Sequence, residues 1–523
     1  MISHEKWKLS FPKNLKTTCI ACIIFAVLAH LFVLTNIIHN HDSLNELPNG
    51  YGSGLISGRW LLAVLGKIAG KFWGNYNLPS YNNILSICIL TITACIVVLI
   101  FNIQRPILCT LIGGIFIVAP PITSMLFYAF TSPYYSLSIL LAIAAVWFTD
   151  KYKLGFIPGA VMCACSLGIY QAYLPITIAL FVLLLIQKIL KPCSEIKVIL
   201  QKGFLFVGTL ILSLLIYFLA LQIQLKIQQT SLGNYQNINE MGKIDIHELP
   251  SIIKNTYYQF IAIPFKDYCG MSCTLVLKIS LFLLNCISVI LVILLLFWQK
   301  RRLTTILSCF ILCAIFPLAA NSIMLMAPHS SIYTLMVYGC VSMYLFPIIL
   351  IDLAAKDLFP HILDKAKRRF LQITELGVIF SLSVAIWNYV YLSNGNYTAM
   401  YYTTQQANNY LNSLITQIRM VDGYQPTMEW AFIGENISDP LHGNPWNNTF
   451  NYGGNLNSLI NVYSRNSFFH NYTGLFPLPL VSDEALSVLN TDPVIKNMPC
   501  YPADGSIQIY QDIVVVKLED IGN

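Results

Sequence analysis

The chain has 523 residues, of which 56% are hydrophobic and only 11% are charged, and its mean hydropathy is +0.64. Soluble domains carry roughly 25% charged residues, so this composition excludes an ordinary soluble protein and predicts an integral membrane protein. The length allows about ten membrane-crossing helices of ~20 residues each and one further domain. The basic residues lie in loops between apolar segments rather than on one face, which argues against nucleic-acid binding.

The net charge of +7 is unevenly distributed along the chain. The residues after position 394 include 4 basic and 11 acidic side chains, whereas residues 1–393 include 27 basic and 13 acidic ones. We therefore predict two domains, a basic membrane domain at 1–393 and an acidic domain at 394–523. With a cytoplasmic N-terminus, 19 of the 31 lysines and arginines fall in cytoplasmic segments, as the positive-inside rule requires. The acidic domain is then outside.

Eleven apolar runs predict about eleven transmembrane helices. The first covers 17–38, and because no small-residue cleavage site follows it, we interpret it as an uncleaved helix rather than a signal peptide. The other runs cover 82–102, 107–127, 133–149, 154–172, 173–187, 203–225, 274–299, 303–322, 332–353 and 371–393. No predicted span has a charged residue at its middle, which argues against an ion-coupled transporter.

The region after residue 394 is predicted to be a small α+β domain. A helix is expected at 399–420 and strands at 429–434 and 512–518, the second strand because of its run of three valines. The helix has one apolar stripe, formed by Leu411, Leu414 and Ile418.

Asparagines crowd the loop-rich section at 444–457, among the aromatic residues Trp446, Tyr452 and Tyr463. Amides and aromatic rings suit sugar hydroxyls and sugar faces. Asparagine is also a common turn former, so both interpretations stay open for this section.

The first candidate site residue is Asp42, about four residues beyond the first apolar run. A carboxylate at the membrane surface can act as a general base that takes a proton from an acceptor hydroxyl, and Glu46 can share or replace that role. Asp42 can equally be an ordinary loop residue. His41 is a candidate substrate-lining residue. A metal site formed with His39 is disfavoured by the i, i+2 spacing of the two histidines, so we expect no metal.

Arg59 is the second candidate. Residues 55–73 have an amphipathic pattern that predicts a helix lying in the membrane interface. Arg59, Lys67 and Lys71 are spaced by eight and four residues, so they are expected on one broad face that binds a lipid phosphate. Trp60 suits the aromatic belt and is a candidate substrate-lining residue. The alternative is a plain surface helix that binds anionic headgroups.

Four weaker candidates lie elsewhere in the chain. Tyr170 and Gln171, at the outer end of a predicted span, and His329 are expected to line a cavity that faces the first outer loop. Lys517, at the end of an apolar strand, is a further candidate for phosphate binding. Each of these residues is equally explained by packing or by exposure to solvent.

The 15 cysteines lie mostly in apolar segments, where a thiol behaves as a small hydrophobic group. Cys269, Cys273 and Cys500 lie in aqueous regions. One pair of them can form a disulfide on an oxidising side of the membrane. Because there are three of these cysteines, at least one thiol then stays free.

Several short motifs occur together in this chain. They are the acidic first outer loop with Asp42 and residues 52–60, the turn at 168–173, and the C-terminal segments 501–507 and 514–518. With these motifs the chain resembles the phage-type serotype-converting O-antigen glucosyltransferases, which are polytopic enzymes of the GT-C class. The motifs are individually short, and they extend over nearly the whole chain in the expected order.

The resemblance implies a GT-C-like membrane fold and transfer of a glucosyl group from undecaprenyl phosphate to a sugar of the O-antigen, on the periplasmic face of the inner membrane. It places the general base in the first outer loop, which here means Asp42, and it implies neither cofactor nor metal. Family members often have two neighbouring acids there, whereas this chain has His41 before Asp42.

The alternatives are an O-antigen polymerase, a transferase that uses another lipid-linked sugar, and a polysaccharide or lipid flippase. A flippase is expected to have charged residues along a central cavity and no substantial outer domain. This sequence has uncharged spans and a predicted outer domain, which is the opposite on both counts.

Overall fold

The computed structural model of the chain describes residues 12–45, 54–74, 76–192, 195–233, 246–269, 274–298, 301–358, 364–437, 443–475 and 477–520. Its contacts divide the chain into two units. The first, here called the membrane unit, comprises Met1–Thr35 and Asn49–Ser393. The second, here called the C-terminal unit, comprises Asn36–Pro48 and Asn394–Asn523. A segment of the first outer loop therefore belongs to the C-terminal unit, which sequence spacing gave no reason to expect.

The membrane unit is helical throughout its described part. Its helices are α1 (Lys13–Thr35), α3 (Trp60–Trp73), α4 (Pro79–Phe101), α5 (Pro106–Val118), α6 (Pro120–Leu126), α7 (Ser132–Lys151), α8 (Phe156–Ile169), α9 (Leu174–Leu190), α10 (Ile196–Ile227), α11 (Leu249–Ala262), α12 (Leu275–Phe297), α13 (Leu303–Ala320), α14 (Ile323–Met326), α15 (Ser342–Leu353) and the first part of α16 (Lys365–Met420). A short helix, α2 (His41–Asn45), precedes α3 in the chain and belongs to the C-terminal unit.

The structure supports most of the eleven predicted spans and leaves their exact number open. Among the described residues, nine helices are long and apolar enough to cross a membrane, and the count rises to ten if the bent pair α5–α6 is one span. The pair bends by 42° because Pro120 and Pro121 follow the extended residue Ala119. The remaining run forms α8, whose 14 residues are fewer than the ~20 needed to cross the hydrocarbon core.

The helix predicted at 399–420 and the span predicted at 371–393 are one continuous helix, α16, of 56 residues. The helix continues through the Asn-Gly-Asn sequence at 394–396. A Cβ on Gly395 would lie only 2.4 Å from Phe450 Cε1, so this glycine lets an aromatic ring approach the helix backbone. The glycine has a packing role there, and the boundary predicted at 393–394 falls inside a helix.

Helix α7 brings aromatic residues at neighbouring helix ends together, since it packs against both α4 and α8. Ser138 Oγ donates to Ser166 O at 2.9 Å, and Ser166 Oγ donates to Ser138 O at 2.8 Å. These reciprocal bonds satisfy both hydroxyls in a buried interface and fix α8 against α7. Tyr135 on α7 and Tyr170 after α8 thereby come to lie side by side.

The C-terminal unit contains the second part of α16, the helices α17 (Leu456–Ile460), α18 (Arg465–Phe468), α19 (Asp483–Thr491) and α20 (Pro493–Lys496), and the strands β1 (Glu429–Ile433), β2 (Ile507–Tyr510) and β3 (Ile513–Lys517). The sheet has the order β1-β3-β2, with β1 parallel and β2 antiparallel to β3. The two predicted strands are confirmed, and β2 was not predicted. Leu411, Leu414 and Ile418 of α16 are buried, which confirms the predicted apolar stripe.

Candidate active site

Asp42 lies in the first turn of α2, which forms although it has only five residues. The side chain of Asn40 caps this helix, because its Oδ1 accepts from Ser43 N at 2.9 Å. Ile38 and Leu44 on either side are each only 1% exposed, so the segment is held by its apolar side chains. The carboxylate is therefore carried on a defined backbone rather than on a loose loop.

The Asp42 carboxylate is held by a side chain from far along the chain. Its Oδ1 accepts a hydrogen bond from the Tyr463 hydroxyl at 3.1 Å and lies 3.6 Å from His41 Nε2. The His41 ring in turn meets the Tyr463 ring edge to face, with 6.2 Å between centroids. The Asp42 side chain is 29% exposed, and its Oδ2 makes no hydrogen bond with another described residue. Asp42 is thus oriented and accessible.

His39 lies beside the same segment against a second tyrosine. Its ring meets that of Tyr472 edge to face at 6.4 Å, and Tyr472 stacks on Phe468 at 4.4 Å. Burial lowers the pKa of His39 to about 4 and raises the pKa of Tyr472 to about 12. Both groups are therefore neutral near pH 7, and His39 acts as a packed ring.

Two expected residues lie outside the described residues. They are Glu46, the second acid of the first loop, and Cys273. Neither Cys269 nor Cys500 forms a disulfide with another described cysteine. Over the described ranges, no three His, Cys, Asp or Glu side chains are grouped so that they could hold a metal ion.

The second cluster forms in the membrane unit around the backbone before α3. A single 3₁₀ turn at Gly54–Ser57 leads to Gly58, whose φ of +73° favours glycine. The amide of Gln171 donates to Ser57 O at 2.9 Å and to the Tyr217 hydroxyl at 3.1 Å, and that hydroxyl donates to Gly58 O at 3.1 Å. These three hydrogen bonds, here called the backbone clamp, hold the turn before α3 in place.

Arg59 follows this clamp and projects onto a group of tyrosines. Its Nη1 donates to the Tyr135 hydroxyl at 3.0 Å, and its Cζ lies 4.8 Å from the centroid of the Tyr170 ring. Tyr135 and Tyr170 are stacked at 4.3 Å, and Tyr173 meets both edge to face. A cation over an aromatic face is attracted by the ring quadrupole, so this group fixes the guanidinium in place.

The two lysines predicted beside Arg59 lie apart from it. Arg59 precedes α3, whereas Lys67 and Lys71 are exposed residues within the helix. At a rise of 1.5 Å per residue they lie about 12 and 18 Å further along the axis. The buried face of α3 is formed instead by Leu62, Ala63 and Gly66. The face predicted for the three basic residues therefore extends over about 18 Å along the helix axis.

Trp60 begins α3 and packs against the end of α8. A Cβ on Gly168 would lie 2.6 Å from Trp60 Nε1, so glycine is needed where the indole crosses that helix. Trp60 also packs on the apolar cluster that includes Leu55, Leu167 and Tyr217. Its ring is therefore partly buried against these residues.

His329 and Lys517 make contacts of their own. His329 Nε2 lies 3.1 Å from Glu248 Oε2, with both side chains largely exposed. Lys517 is 2% exposed, and its Nζ donates to Lys496 O at 2.8 Å and Met498 O at 2.7 Å and lies 2.6 Å from Asp520 Oδ1. These three contacts match the three N–H donors of an ammonium group, which makes Lys517 a structural link between chain segments.

Sequence reasoning missed the roles of Tyr217 and Tyr463. Tyr463 contacts Asp42 across 421 positions, and Tyr217 contacts Gly58 across 159. Neither residue stands in a motif, so only the fold brings them to the first loop.

An apolar cavity of about 450 Å³ lies among α9, α10 and α13, lined by residues such as Phe181, Phe206 and Ile311.

Comparison with protein families gives one match. A family model described as Glucosyl transferase GtrII matches residues 31–344, which include the first outer loop and the tyrosine group around Arg59. Neither the curated proteins nor the solved structures include a significant match to this chain. The family match confirms the resemblance found in the sequence motifs.

Proposed function

The chain belongs to the GtrII glucosyl transferase family, and from this premise we propose that it moves a glucosyl group from undecaprenyl phosphate to a sugar of the O-antigen. The proposal puts the protein in the bacterial inner membrane, with the N-terminus in the cytoplasm and the C-terminal unit in the periplasm. The distribution of lysine and arginine along the sequence supports this orientation.

The observation on which the mechanism rests is the hydrogen bonding and exposure of the Asp42 carboxylate. Its Oδ1 is oriented by the Tyr463 hydroxyl, and its partly exposed carboxylate has acceptor positions remaining for an incoming hydroxyl. A general base must lie within hydrogen-bond reach of the proton that it removes, and an accessible carboxylate on a fixed backbone meets that condition. We assign Asp42 as this base. Glu46 is proposed to assist it.

The transfer is a single displacement. Asp42 takes the proton of the acceptor hydroxyl, and the hydroxyl oxygen forms a bond to the anomeric carbon of the donor. The bond from that carbon to the phosphate oxygen breaks, and polyprenyl phosphate leaves with the bonding electrons. Attack from the face opposite the phosphate inverts the anomeric configuration.

Arg59 is proposed to hold the donor phosphate. A guanidinium binds phosphate with two parallel hydrogen bonds, and Tyr135 and Tyr170 keep this one in a fixed position. Charge accumulates on the phosphate as the glycosidic bond breaks, so a fixed cation stabilises the transition state more than the bound donor. Lys67 or Lys71, both exposed on α3, supplies a second cation.

The remaining expected residues take smaller parts in the proposal. His41 is proposed to shape the acceptor space beside Asp42, and Trp60, Tyr170 and Gln171 are proposed to shape the donor space around Arg59. We assign no role to His329, which pairs with Glu248. We also assign none to Lys517, which is held by Asp520 and two backbone carbonyls. The apolar cavity among α9, α10 and α13 suits part of a lipid chain.

The test is glucosyl transfer by the purified protein, supplied with polyprenyl phosphate glucose and O-polysaccharide. Wild type is expected to release one polyprenyl phosphate per glucosyl group transferred, with the anomeric configuration inverted. Asp42→Asn is expected to lower the rate about 100-fold or more, which is the contribution of a positioned general base. The matched control is Asp492→Asn, which changes a carboxylate of the same unit that pairs with Tyr510. An Asp42→Asn protein with the wild-type rate would refute the base assignment.

A further inference from the structure

The C-terminal unit has a solvent-exposed aromatic pair on α16 and the loop that follows β1. Trp446 is 41% exposed and Tyr402 is 46% exposed, and their ring centroids are 5.9 Å apart. Tyr401 adjoins Tyr402, also with 5.9 Å between centroids. Soluble surfaces seldom leave neighbouring large rings in water without a partner for them.

The rings are held by a built framework rather than by chance packing. Asn444 Nδ2 donates to Ala399 O at 3.1 Å and to Thr403 Oγ1 at 3.0 Å, and Asn444 Oδ1 accepts from Trp446 N. Phe450, on the other side of Trp446, is buried and fills the space above Gly395. The loop is thereby fixed to α16, so a ligand on the rings would not have to order it first.

The two chain segments that carry the rings are rich in amides and contain no charged side chain of their own. Residues 394–418 and 443–463 include fifteen asparagines and glutamines and not one Asp, Glu, Lys or Arg. Gln405 and Asn409 are exposed and follow Tyr402 at helical spacing, and Asn448 is exposed beside Trp446. An amide can donate and accept at once, as a sugar hydroxyl does. A surface for a phosphate or an anionic headgroup would carry cations instead.

The same loop leads to the proposed base. Gly454 lies in the loop that begins at Asn444, and a Cβ at Gly454 would be 4.0 Å from His41 Nδ1. Tyr463 follows and donates to Asp42. One stretch of the C-terminal unit therefore carries both Trp446 of the ring pair and the residue that orients Asp42.

We infer that Tyr402 and Trp446, with the amides beside them, form a binding platform for a neutral saccharide, the polysaccharide acceptor. This inference rests on the proposed function, because it names where the acceptor chain of that reaction is held. Sugar C–H groups are slightly positive and pack on the negative faces of aromatic rings, while the hydroxyls at the sugar edge bond to amides.

The experiment measures the binding of lipid-free O-polysaccharide to the purified full-length protein in detergent, without donor. Trp446→Ala and Tyr402→Ala are each expected to raise Kd roughly three- to tenfold, the range of single aromatic contacts. Trp446→Phe and Tyr402→Phe keep a ring and are expected to stay within about twofold of wild type. The control is Trp387→Ala, which removes an exposed tryptophan from the membrane-unit part of α16.

The outcomes separate this inference from the proposed function. Wild-type binding in both alanine variants overturns the platform, as does an equal loss in Trp387→Ala, which would report general packing in detergent or lipid. Glucosyl transfer is measured on the same preparations. If wild type transfers glucose and the alanine variants bind normally, the platform is overturned and the proposed function stands. If wild type transfers no glucose, the proposed function is overturned, and the binding result is judged by itself.

Discussion

At the residue scale, the account depends on how single side chains hold Asp42 and Arg59. Asp42 is oriented by a tyrosine 421 positions away, and Arg59 is fixed between a tyrosine hydroxyl and a tyrosine ring. The sequence identified both charged residues, because charge is rare in this chain and easily noticed. It named Tyr170 as a candidate beside the first outer loop, but it could not identify the role of Tyr463, since one tyrosine among 29 has no distinguishing pattern.

Replacing Tyr463 by Phe removes the hydroxyl that orients Asp42 and keeps the ring. A neutral hydrogen bond contributes about 1 kcal/mol, so kcat is expected to fall roughly fivefold while KM for donor and acceptor stays unchanged. Steady-state kinetics on the purified protein measures both constants. The control is Tyr510→Phe, which removes a tyrosine–carboxylate bond to Asp492 in the same unit. Equal losses of kcat in the two variants would argue for a general structural effect.

Replacing Arg59 by Lys keeps the charge and removes the planar fork. A hydrogen bond to a charged group contributes about 1.5–3 kcal/mol, so kcat/KM for the donor is expected to fall roughly tenfold to hundredfold. Lys226→Ala, which removes an exposed cation near the end of α10, serves as the control and should match wild type. Full activity in Arg59→Lys would show that only a positive charge is needed there.

At the element scale, the apolar runs predicted the helices well and their ends less well. Composition gives a long apolar helix directly, but the break at Ala119 follows from the two prolines after it, and the continuation of α16 through Gly395 depends on tertiary packing. Proline and glycine each have two meanings, a turn or a close contact, and one sequence does not separate them. The strand β2 was missed for a different reason, which is that its alternating pattern covers only four residues.

The turn before α3 gives a prediction at this scale. Gly58→Ala places a Cβ 2.7 Å from Gln171 Nε2 and 2.8 Å from the Tyr217 hydroxyl at a φ of +73°. The expected loss is about 1–3 kcal/mol of stability, with Arg59 displaced and activity lowered. Thermal unfolding in detergent checks it. Gly208→Ala is the control, since its Cβ would meet nothing within 4 Å and alanine favours helix. An unchanged melting temperature in Gly58→Ala would contradict the described clamp.

At the scale of the whole molecule, the chain divides differently from the order of its sequence. Residues 36–48 follow the first apolar helix, yet they belong with the C-terminal unit. Composition and charge predicted a membrane domain and a polar C-terminal domain. They could not predict this assignment, because it is made by contacts between residues more than 400 positions apart.

His39 links the stability of the C-terminal unit to pH. Burial lowers its folded pKa to about 4, whereas an unfolded histidine has a pKa of about 6.5. Between these values the unfolded chain binds more protons, so stability is complete above about pH 6.5 and falls as the pH is lowered toward 4. We expect a loss of about 1 kcal/mol between pH 7 and pH 5, since the ring keeps some contact with solvent.

The measurement is thermal unfolding of the full-length protein in detergent at pH 7, 6 and 5. His39→Phe keeps an aromatic ring without a titrating group and is expected to flatten the pH dependence. His470→Gln, which changes an exposed histidine of the same unit, should leave the dependence as in wild type. A slope that persists in His39→Phe would assign the effect to other groups.

The central claim, glucosyl transfer with Asp42 as the base, is tested most directly by the structure of the surface polysaccharide. Mass spectrometry and NMR would compare cells without the gene, with the wild-type gene and with Asp42→Asn, after immunoblotting confirms equal amounts of protein in the membrane. The account predicts one extra hexose per repeat with wild type and none with Asp42→Asn. A polysaccharide that wild type leaves unchanged, or that Asp42→Asn modifies as fully as wild type, would contradict it.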